Sequence, residues 1–227
     1  MTLQAIATLD PATSTNVGIT LSNSDTAMAL GGEITNAGCQ TTIGNIIGST
    51  PARYFRFYTE VTISAAPQNA TWGLVQAGTD LAGFDEGGIS DGVDGMLQYQ
   101  MSGDIVKGVA SASVTVATAD SWSGGGVAQG AFDISNGLAW FRTGTGHWNG
   151  DASADPASGV GGIPIPLTGR VYLFGGLQTA FTGGQVLQFN FGQSPFAQTV
   201  PSGFELGWGS PTVLIGVLTW DGKRVAI

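Results

Sequence analysis

Hydrophobic and polar residues alternate along many short segments of this chain, and each segment ends in glycine, proline or asparagine. The clearest examples are residues 137–148 (GLAWFRTGTGHW), 170–176 (RVYLFGG) and 186–204 (VLQFNFGQSPFAQTVPSGF). Alternation places successive side chains on opposite faces of a strand, so each segment has one face to bury. The pattern therefore predicts short β-strands joined by tight turns.

Shorter runs with the same alternation predict the remaining strands. Residues 17–21 and 27–30 predict a hairpin across the NSD turn at 23–25. Further strands are predicted at residues 40–47, 54–63, 71–76, 96–101, 109–118 and 131–134. No segment combines helical periodicity with a helix-favouring composition over more than about ten residues. The hydrophobic pattern as a whole predicts an all-β fold.

Composition agrees with this prediction and narrows the possible partners. The chain has 227 residues, 37 of them glycine, and 42% of its residues are hydrophobic. This length suits one domain with a substantial core. The formal net charge of −9 repels phosphate backbones and anionic lipids, so we expect neither nucleic-acid binding nor attachment to an anionic membrane.

Targeting and redox signals are also sparse. Cys39 is the one cysteine of the chain, so no intrachain disulfide can form, and we expect a small buried apolar residue there. The first ten residues (MTLQAIATLD) lack the basic segment of a signal peptide. The longest apolar run near the end, residues 213–220, is too short to span a bilayer. We therefore expect synthesis in a cytoplasm without export, and no membrane insertion.

Five motifs occur in a characteristic order along the chain. They are DPATSTNVGITLSN at 10–23, TIG at 42–44 with YFRFYTEVTI at 54–63, DISNGLAWFRTGTGHW at 133–148, GDASADP at 150–156, and NFGQSPF at 190–196 with PSGF at 201–204. In this order they resemble the SPRY domain family, and specifically its bacterial and bacteriophage branch. The resemblance spans residues 9–208, although residues 74–118 match only loosely.

The resemblance implies a two-sheet antiparallel, concanavalin-like jelly-roll sandwich over residues 1–208. It implies recognition by loops at one edge of the sandwich, without catalysis and without a cofactor. It also implies a virion protein of a bacteriophage or prophage-derived particle, where such domains sit on tail fibres or head decorations. Two functions stay open: binding of a host surface glycan or protein, and a purely structural decoration or connector role.

Residues 209–227 (GSPTVLIGVLTWDGKRVAI) depart from the family pattern and form a separate tail. One interpretation is an added edge strand on the same sandwich. The other is an arm that pairs with a neighbouring subunit, because an unpaired strand adds readily to an exposed sheet edge. Expected partners are other virion proteins and copies of this chain. The candidate contact residues are Val213, Leu214, Ile215, Trp220, Lys223 and Arg224.

Loop residues are the candidates for ligand binding. Trp122 lies in the glycine-rich segment SWSGGG, and His147, Asn149 and Asp151 lie in GHWNGD. Aromatic faces stack on sugar rings, and amide or carboxylate groups exchange hydrogen bonds with hydroxyls. The aromatic residues that we expect to hold the two sheets together instead are Trp140, Phe141, Phe189 and Phe191.

Catalysis has little support in the sequence. His147 is the single histidine, and no G-x-S-x-G motif accompanies it. A glycosidase needs two facing carboxylates, and Glu60 is the one glutamate within a clearly predicted strand. A glycan-processing enzyme is therefore the third hypothesis, behind recognition and structure.

An acidic loop at residues 78–95 raises the question of calcium. Its aspartates are oxygen ligands of the kind that calcium takes, but their spacing does not fit an EF-hand. We expect no metal site, and calcium at this loop stays open. The aspartates are Asp80, Asp85, Asp91 and Asp94.

Overall fold

The regular structure of this chain consists almost wholly of β-strands. A computed structural model describes residues 7–13, 19–22, 27–30, 36–48, 55–63, 69–79, 81, 95–109, 112–178, 186–209, 217–220 and 223–226. In chain order the strands are β1 (Ile19–Ser22), β2 (Ala27–Leu30), β3 (Asn36–Gln40), β4 (Asn45–Ile46), β5 (Arg56–Ile63), β6 (Asn69–Gln76), β7 (Met96–Gln100), β8 (Asp104–Val109), β9 (Ala112–Thr118), β10 (Val127–Asp133), β11 (Leu138–Thr143), β12 (Ile163–Pro164), β13 (Arg170–Gln178), β14 (Val186–Asn190), β15 (Glu205–Leu206), β16 (Val217–Trp220) and β17 (Lys223–Ala226).

Two large sheets contain nearly all of these strands. The first sheet runs β1-β2-β14-β5-β10-β11-β12, and β15 pairs with β5 beside β14. The second sheet runs β3-β13-β6-β7-β8-β9, and β4 pairs with β13. Neighbouring strands are antiparallel except β15 and β5, which run parallel. Many neighbours in space are distant in sequence, as expected of a jelly roll.

The core lies between the two sheets and is strongly aromatic. Trp72 of the second sheet packs edge-on against Phe132 and Phe141 of the first, with ring centroids 6.1 and 5.6 Å apart. A Cβ at Gly130 would lie 2.5 Å from the Trp72 ring, so a side chain there has no room. The alternation in the sequence therefore produced the expected two-sheet antiparallel sandwich.

A second apolar cluster lies on the outer face of the first sheet. Trp140 belongs to it, together with Tyr58, Trp148 and Phe204. The Trp140 ring donates its Nε1 hydrogen to the Val160 carbonyl at 2.8 Å. The expectation that Trp140 holds the sheets together is wrong, because alternation along β11 places it opposite the core-facing side chains. It anchors the loop that covers the outer face.

Most predicted strands are present, and two segments differ. Residues 19–22 and 27–30 form the expected hairpin of β1 and β2. The strand predicted at 40–47 is two strands, β3 and β4, both paired with β13. The strand predicted at 109–118 is only the second half of the hairpin β8–β9, whose first strand the sequence pattern missed. Cys39 is buried, as expected of a small apolar residue.

The tail forms a small sheet of its own. β16 pairs antiparallel with β17, so that Trp220 lies opposite Lys223 and Thr219 opposite Arg224. Neither strand pairs with the large sheets in the residues that the structure describes. The other predicted contact residues, 213–215, lie outside those residues. Within the described ranges, no helix is long and apolar enough to cross a membrane.

Candidate functional site

A row of polar side chains crosses the outer face of the first sheet. Glu60 on β5 lies opposite Gln129 on β10, and Gln129 lies opposite Arg142 on β11. Residues paired in this way project from the same face of a sheet. The row therefore brings together three groups that are far apart in sequence.

Glu60 anchors one end of this row and is 3% exposed. Its Oε1 accepts hydrogen bonds from the Tyr58 hydroxyl at 2.9 Å and from the Gln198 backbone at 2.8 Å. Its Oε2 accepts a bond from the Ala197 backbone at 2.8 Å. Both oxygens are thus engaged, which ties the loop after β14 to the sheet.

Tyr58 and Gln129 connect the two charged ends. Burial, reinforced by the Glu60 carboxylate, raises the pKa of Tyr58 well above its usual value, so its hydroxyl keeps its proton. That hydroxyl also lies 3.1 Å from Gln129 Oε1. The Gln129 amide donates to the Gly144 carbonyl at 2.6 Å, which fixes the orientation of its oxygen. Gln129 therefore presents a fixed acceptor to its other neighbour.

Arg142 ends the row and is partly buried. Its Nε donates to Gln129 Oε1 at 2.9 Å, and its guanidinium carbon lies 4.1 Å from the centre of the Trp148 ring. Burial lowers the pKa of the guanidinium. Among the described residues, no carboxylate pairs with it and nothing accepts a hydrogen bond from Nη1 or Nη2. Arg142 is thus held at one edge and one face, with its terminal fork unpaired.

Asn149 holds Trp148 in place under this guanidinium. It has a positive φ of 53° and is 8% exposed. Its Oδ1 accepts from the Phe141 backbone at 2.8 Å, and its Nδ2 donates to the carbonyls of Ala139 and Gly161. The expectation that this amide is open to a ligand is wrong, because its hydrogen bonds are made within the protein.

The sequence pattern also predicted the wrong environment for Trp122. It is 2% exposed and belongs to the core between the sheets. Its Nε1 donates to the Gln100 carbonyl at 2.9 Å, and its ring packs on Tyr99. The glycine-rich segment around it suggested an exposed loop, but the indole turns inward. Trp122 therefore offers no surface for a sugar ring.

His147 and Asp151 lie on the surface on either side of the short turn at Trp148–Gly150. Asp151 Oδ1 accepts bonds from the backbone and the hydroxyl of Ser153, both at 2.8 Å. These bonds lower the pKa of Asp151, so it stays ionised at neutral pH. Both residues stay candidates for ligand contact beside Arg142.

The loop after β14 forms a concavity next to the polar row. It has a volume of about 480 Å³ and is lined by residues 192–196, 198 and 200. Phe196, one of the lining residues, packs edge-on against Tyr58 at 4.9 Å. The hydrogen bonds to Glu60 thus position this concavity on the same face as Arg142.

A second arginine on this face has the opposite surroundings. Arg56 Nε lies 3.0 Å from Asp133 Oδ2, and its Nη2 donates to the Pro156 carbonyl at 2.6 Å. Its guanidinium also lies 4.4 Å from the Phe204 ring centre. Arg56 therefore has a carboxylate and a backbone carbonyl as partners inside the protein.

Sequence reasoning missed Arg142, although one signal was available. It occupies an alternate position two residues after Trp140, so it shares a face with a buried aromatic residue.

Metal ligation has no support in the described residues, where no three His, Cys, Asp or Glu side chains come together. Most of the acidic loop at 78–95 lies outside them.

Comparisons with known proteins bear on the fold. No family model matches the sequence, and no curated protein matches it. The SPRY domain of human HERC1 superposes with a TM-score of 0.54 at 11% identity, over 80% of this chain and 96% of that one. The TRIM65 PSpry domain (TM-score 0.46, 14% identity, 81% and 89% covered) and winged bean acidic lectin (0.44, 8%, 81% and 90%) are also similar. The chain has a SPRY-like fold.

Proposed function

We propose that this protein is a non-catalytic recognition subunit of a bacteriophage particle, which binds a host surface glycan or protein through loops over the first sheet. The five ordered motifs support the assignment to a particle. The SPRY-like fold supports a binding role. The observation that carries the proposal is the Arg142 guanidinium, which is fixed over Trp148 while its Nη atoms stay unpaired among the described residues.

The surroundings of Glu60 argue against catalysis by the carboxylate that the sequence singled out. Both of its oxygens accept hydrogen bonds, and it is 3% exposed. A general acid or nucleophile must reach the substrate, within hydrogen-bond distance of the reacting atom. Glu60 instead anchors a loop, which favours binding over hydrolysis.

The tail favours a second function, that of a structural subunit. A lone two-stranded sheet is marginally stable in water. β16 and β17 pair only with each other among the described strands, so they gain stability by packing on a neighbouring surface. The subunit-contact candidates Trp220, Lys223 and Arg224 lie on these strands. A virion protein that is both anchored by its tail and open at its loops accommodates both roles.

Binding of the fluorescently labelled full chain to a panel of bacterial envelope preparations tests recognition. We expect saturable binding to at least one preparation, abolished by protease if the receptor is protein and by periodate if it is glycan. Absence of saturable binding across the panel contradicts recognition and favours the structural role. Mass spectrometry of purified particles tests membership of the virion, and absence of the chain from them contradicts it.

A further inference from the structure

Among the residues that the structure describes, Arg142 has no counter-ion, although the protein carries a net charge of −9. Arg56, on the same face, has both an aromatic neighbour and the carboxylate of Asp133. Arg142 has the aromatic neighbour alone among the described residues. A partly buried guanidinium has lost part of its hydration. An anion that hydrogen-bonds to it therefore stabilises it more than a neutral group does.

We infer that Arg142 is the anchor for one carboxylate of a protein ligand, bound by the Nη1 and Nη2 fork. This inference rests on the proposed recognition function, since it names the ligand chemistry of the same loops. The carboxylate belongs to an Asp or Glu side chain or to a chain terminus. Guanidinium and carboxylate match in a bidentate geometry that an ammonium group does not offer.

The guanidinium is oriented before any ligand arrives. Gln129 Oε1 fixes its Nε edge, and the Trp148 ring supports its face. Gln129 is itself held by the Gly144 carbonyl, and Trp148 by its neighbour Asn149. A side chain that is already ordered loses little rotamer freedom on binding. Because the guanidinium is held in one orientation, it favours a directional contact in which its Nη1 and Nη2 groups both meet the ligand.

Charge selects a single carboxylate rather than a polyanion. The acidic surface repels an extended chain of negative charges, whereas one carboxylate is repelled little beyond a Debye length of about 8 Å. Sugar recognition also gains from an open aromatic face. The Trp148 face carries Arg142, and Trp122 is buried, so neither supplies one. These features together favour a protein segment over an acidic polysaccharide.

The concavity at residues 192–200 extends the site. Its loop is tied to Glu60, which lies two strands from Arg142 and therefore about 10 Å away. An extended segment of about three residues spans that distance. Phe196 and Val200 line the concavity and suit an apolar side chain. The ligand we infer carries a carboxylate at one end and an apolar residue about three positions away.

Titration of the ¹⁵N-labelled full chain with two capped tripeptides tests the carboxylate contact. The probes are acetyl-Gly-Asp-Gly-amide and acetyl-Gly-Asn-Gly-amide, observed through the Arg142 Nε–H resonance and backbone amides nearby. We expect the Asp peptide to bind at least fivefold more tightly than the Asn peptide. Equal affinities would overturn the inference. Glucuronic acid forms a third arm, and tighter binding of this sugar would overturn the assignment to a protein ligand.

Variants locate the contact. Arg142→Met keeps a long side chain over Trp148 and is expected to lose the preference for the Asp peptide. Arg170→Met is the matched control, because Arg170 is exposed on the other sheet and donates to the Gly44 carbonyl. Arg142→Lys keeps the charge without the fork and is expected to retain only part of the preference. Circular dichroism checks that each variant is folded. Full preference in Arg142→Met would overturn the inference.

The envelope panel separates this inference from the proposed function. Undiminished envelope binding by Arg142→Met would overturn the inference and leave recognition standing. Selective Asp-peptide binding by a protein that binds no envelope would support the carboxylate site and contradict host recognition.

Discussion

Two arginines on the outer face of the first sheet each lie over an aromatic ring, and they differ in the other groups around the guanidinium. The Arg56 corner comprises Arg56, Phe204 and Asp133. The Arg142 corner comprises Arg142, Trp148 and Gln129. Arg56 lies 4.4 Å from the Phe204 ring centre, and Arg142 lies 4.1 Å from that of Trp148. Arg56 also has the buried carboxylate of Asp133 at 3.0 Å. Among the described residues, Arg142 has the neutral Gln129 as its hydrogen-bond partner and no carboxylate. The two guanidinium groups thus lie at nearly the same distance from an aromatic ring, but they differ in whether a carboxylate lies beside them.

This difference shows that the partner of the charge, rather than the residue type, separates a structural arginine from an available one. Removing Arg56 strands a carboxylate that is buried with it. Removing Arg142 takes one donor from the neutral Gln129 oxygen, and the Tyr58 hydroxyl still lies 3.1 Å from that oxygen. The Arg56 side chain should therefore contribute more to stability than the Arg142 side chain, which should contribute to binding.

The largest effect is expected from removing the support of the Arg142 corner. Asn149→Ala removes the side-chain partner of the Phe141 N–H and of the Ala139 and Gly161 carbonyls, and it forces alanine into a positive φ. We expect a loss of about 4 kcal/mol in the free energy of unfolding, measured by urea titration.

Asn149→Gly is the matched control for that substitution. Glycine adopts the positive φ freely but makes none of the three hydrogen bonds. We expect it to lose about 1 kcal/mol less than alanine. If both variants unfold like the unaltered protein, Asn149 does not hold Trp148 in place.

Arg56→Met should follow in size. It leaves Asp133 buried without its cation, although Asn136 still donates to that carboxylate. We expect a loss of about 3 kcal/mol in the free energy of unfolding, by the same measurement. The exposed Arg170→Met serves as reference, with a loss below about 0.5 kcal/mol.

Arg142→Met should cost much less than Arg56→Met. It removes one hydrogen bond to Gln129 and the cation–π part of the contact with Trp148, together worth about 1 kcal/mol. Equal losses for the two arginine variants would erase the distinction between the corners, because Arg142 would then have a charge partner that matters for folding.

The smallest effect is expected in the dependence of folding stability on pH in the acidic range. The Ser153 bonds hold the pKa of Asp151 below its usual value. A depressed pKa in the folded state stabilises the protein above the unfolded pKa, and that stabilisation is lost as pH falls through the folded pKa. Ser153→Ala should raise the pKa of Asp151 towards its usual value, as measured by carboxyl ¹³C NMR. Alanine keeps the backbone bond to Asp151, so an unchanged titration curve would show that the hydroxyl bond does not form in solution.

Much of the sandwich could be predicted from alternation, because a half-buried strand records its two faces in its own sequence. In β14 the alternate residues Leu187 and Phe189 face the core as the pattern indicated, and in β11 Phe141 does so but Trp140 does not. The sequence pattern missed β8, which reads DIVKGV, because its two charged residues and its glycine weaken the hydrophobic alternation. Its place is fixed by pairing with β7 and β9 instead.

The candidate site was far less predictable, because tertiary contacts decide it. Trp122 lies in a segment that is typical of an exposed loop, but its indole packs on Tyr99 in the core and donates to the distant Gln100 carbonyl. Arg142 becomes distinctive only when strand pairing sets it beside Gln129 and Glu60. No local pattern contains that row. The hairpin pairing of Gln129 with Arg142 is the one part of it within reach of the sequence.

The central claim is that the Arg142 fork is free to bind a carboxylate, whereas the Arg56 guanidinium is not. The most direct measurement follows both Nε–H resonances in one NMR titration of the unaltered protein with acetyl-Gly-Asp-Gly-amide. We predict a saturable shift at Arg142 and none at Arg56, with the Asn peptide leaving both in place. Equal shifts at the two arginines, or a shift at neither, would contradict the claim.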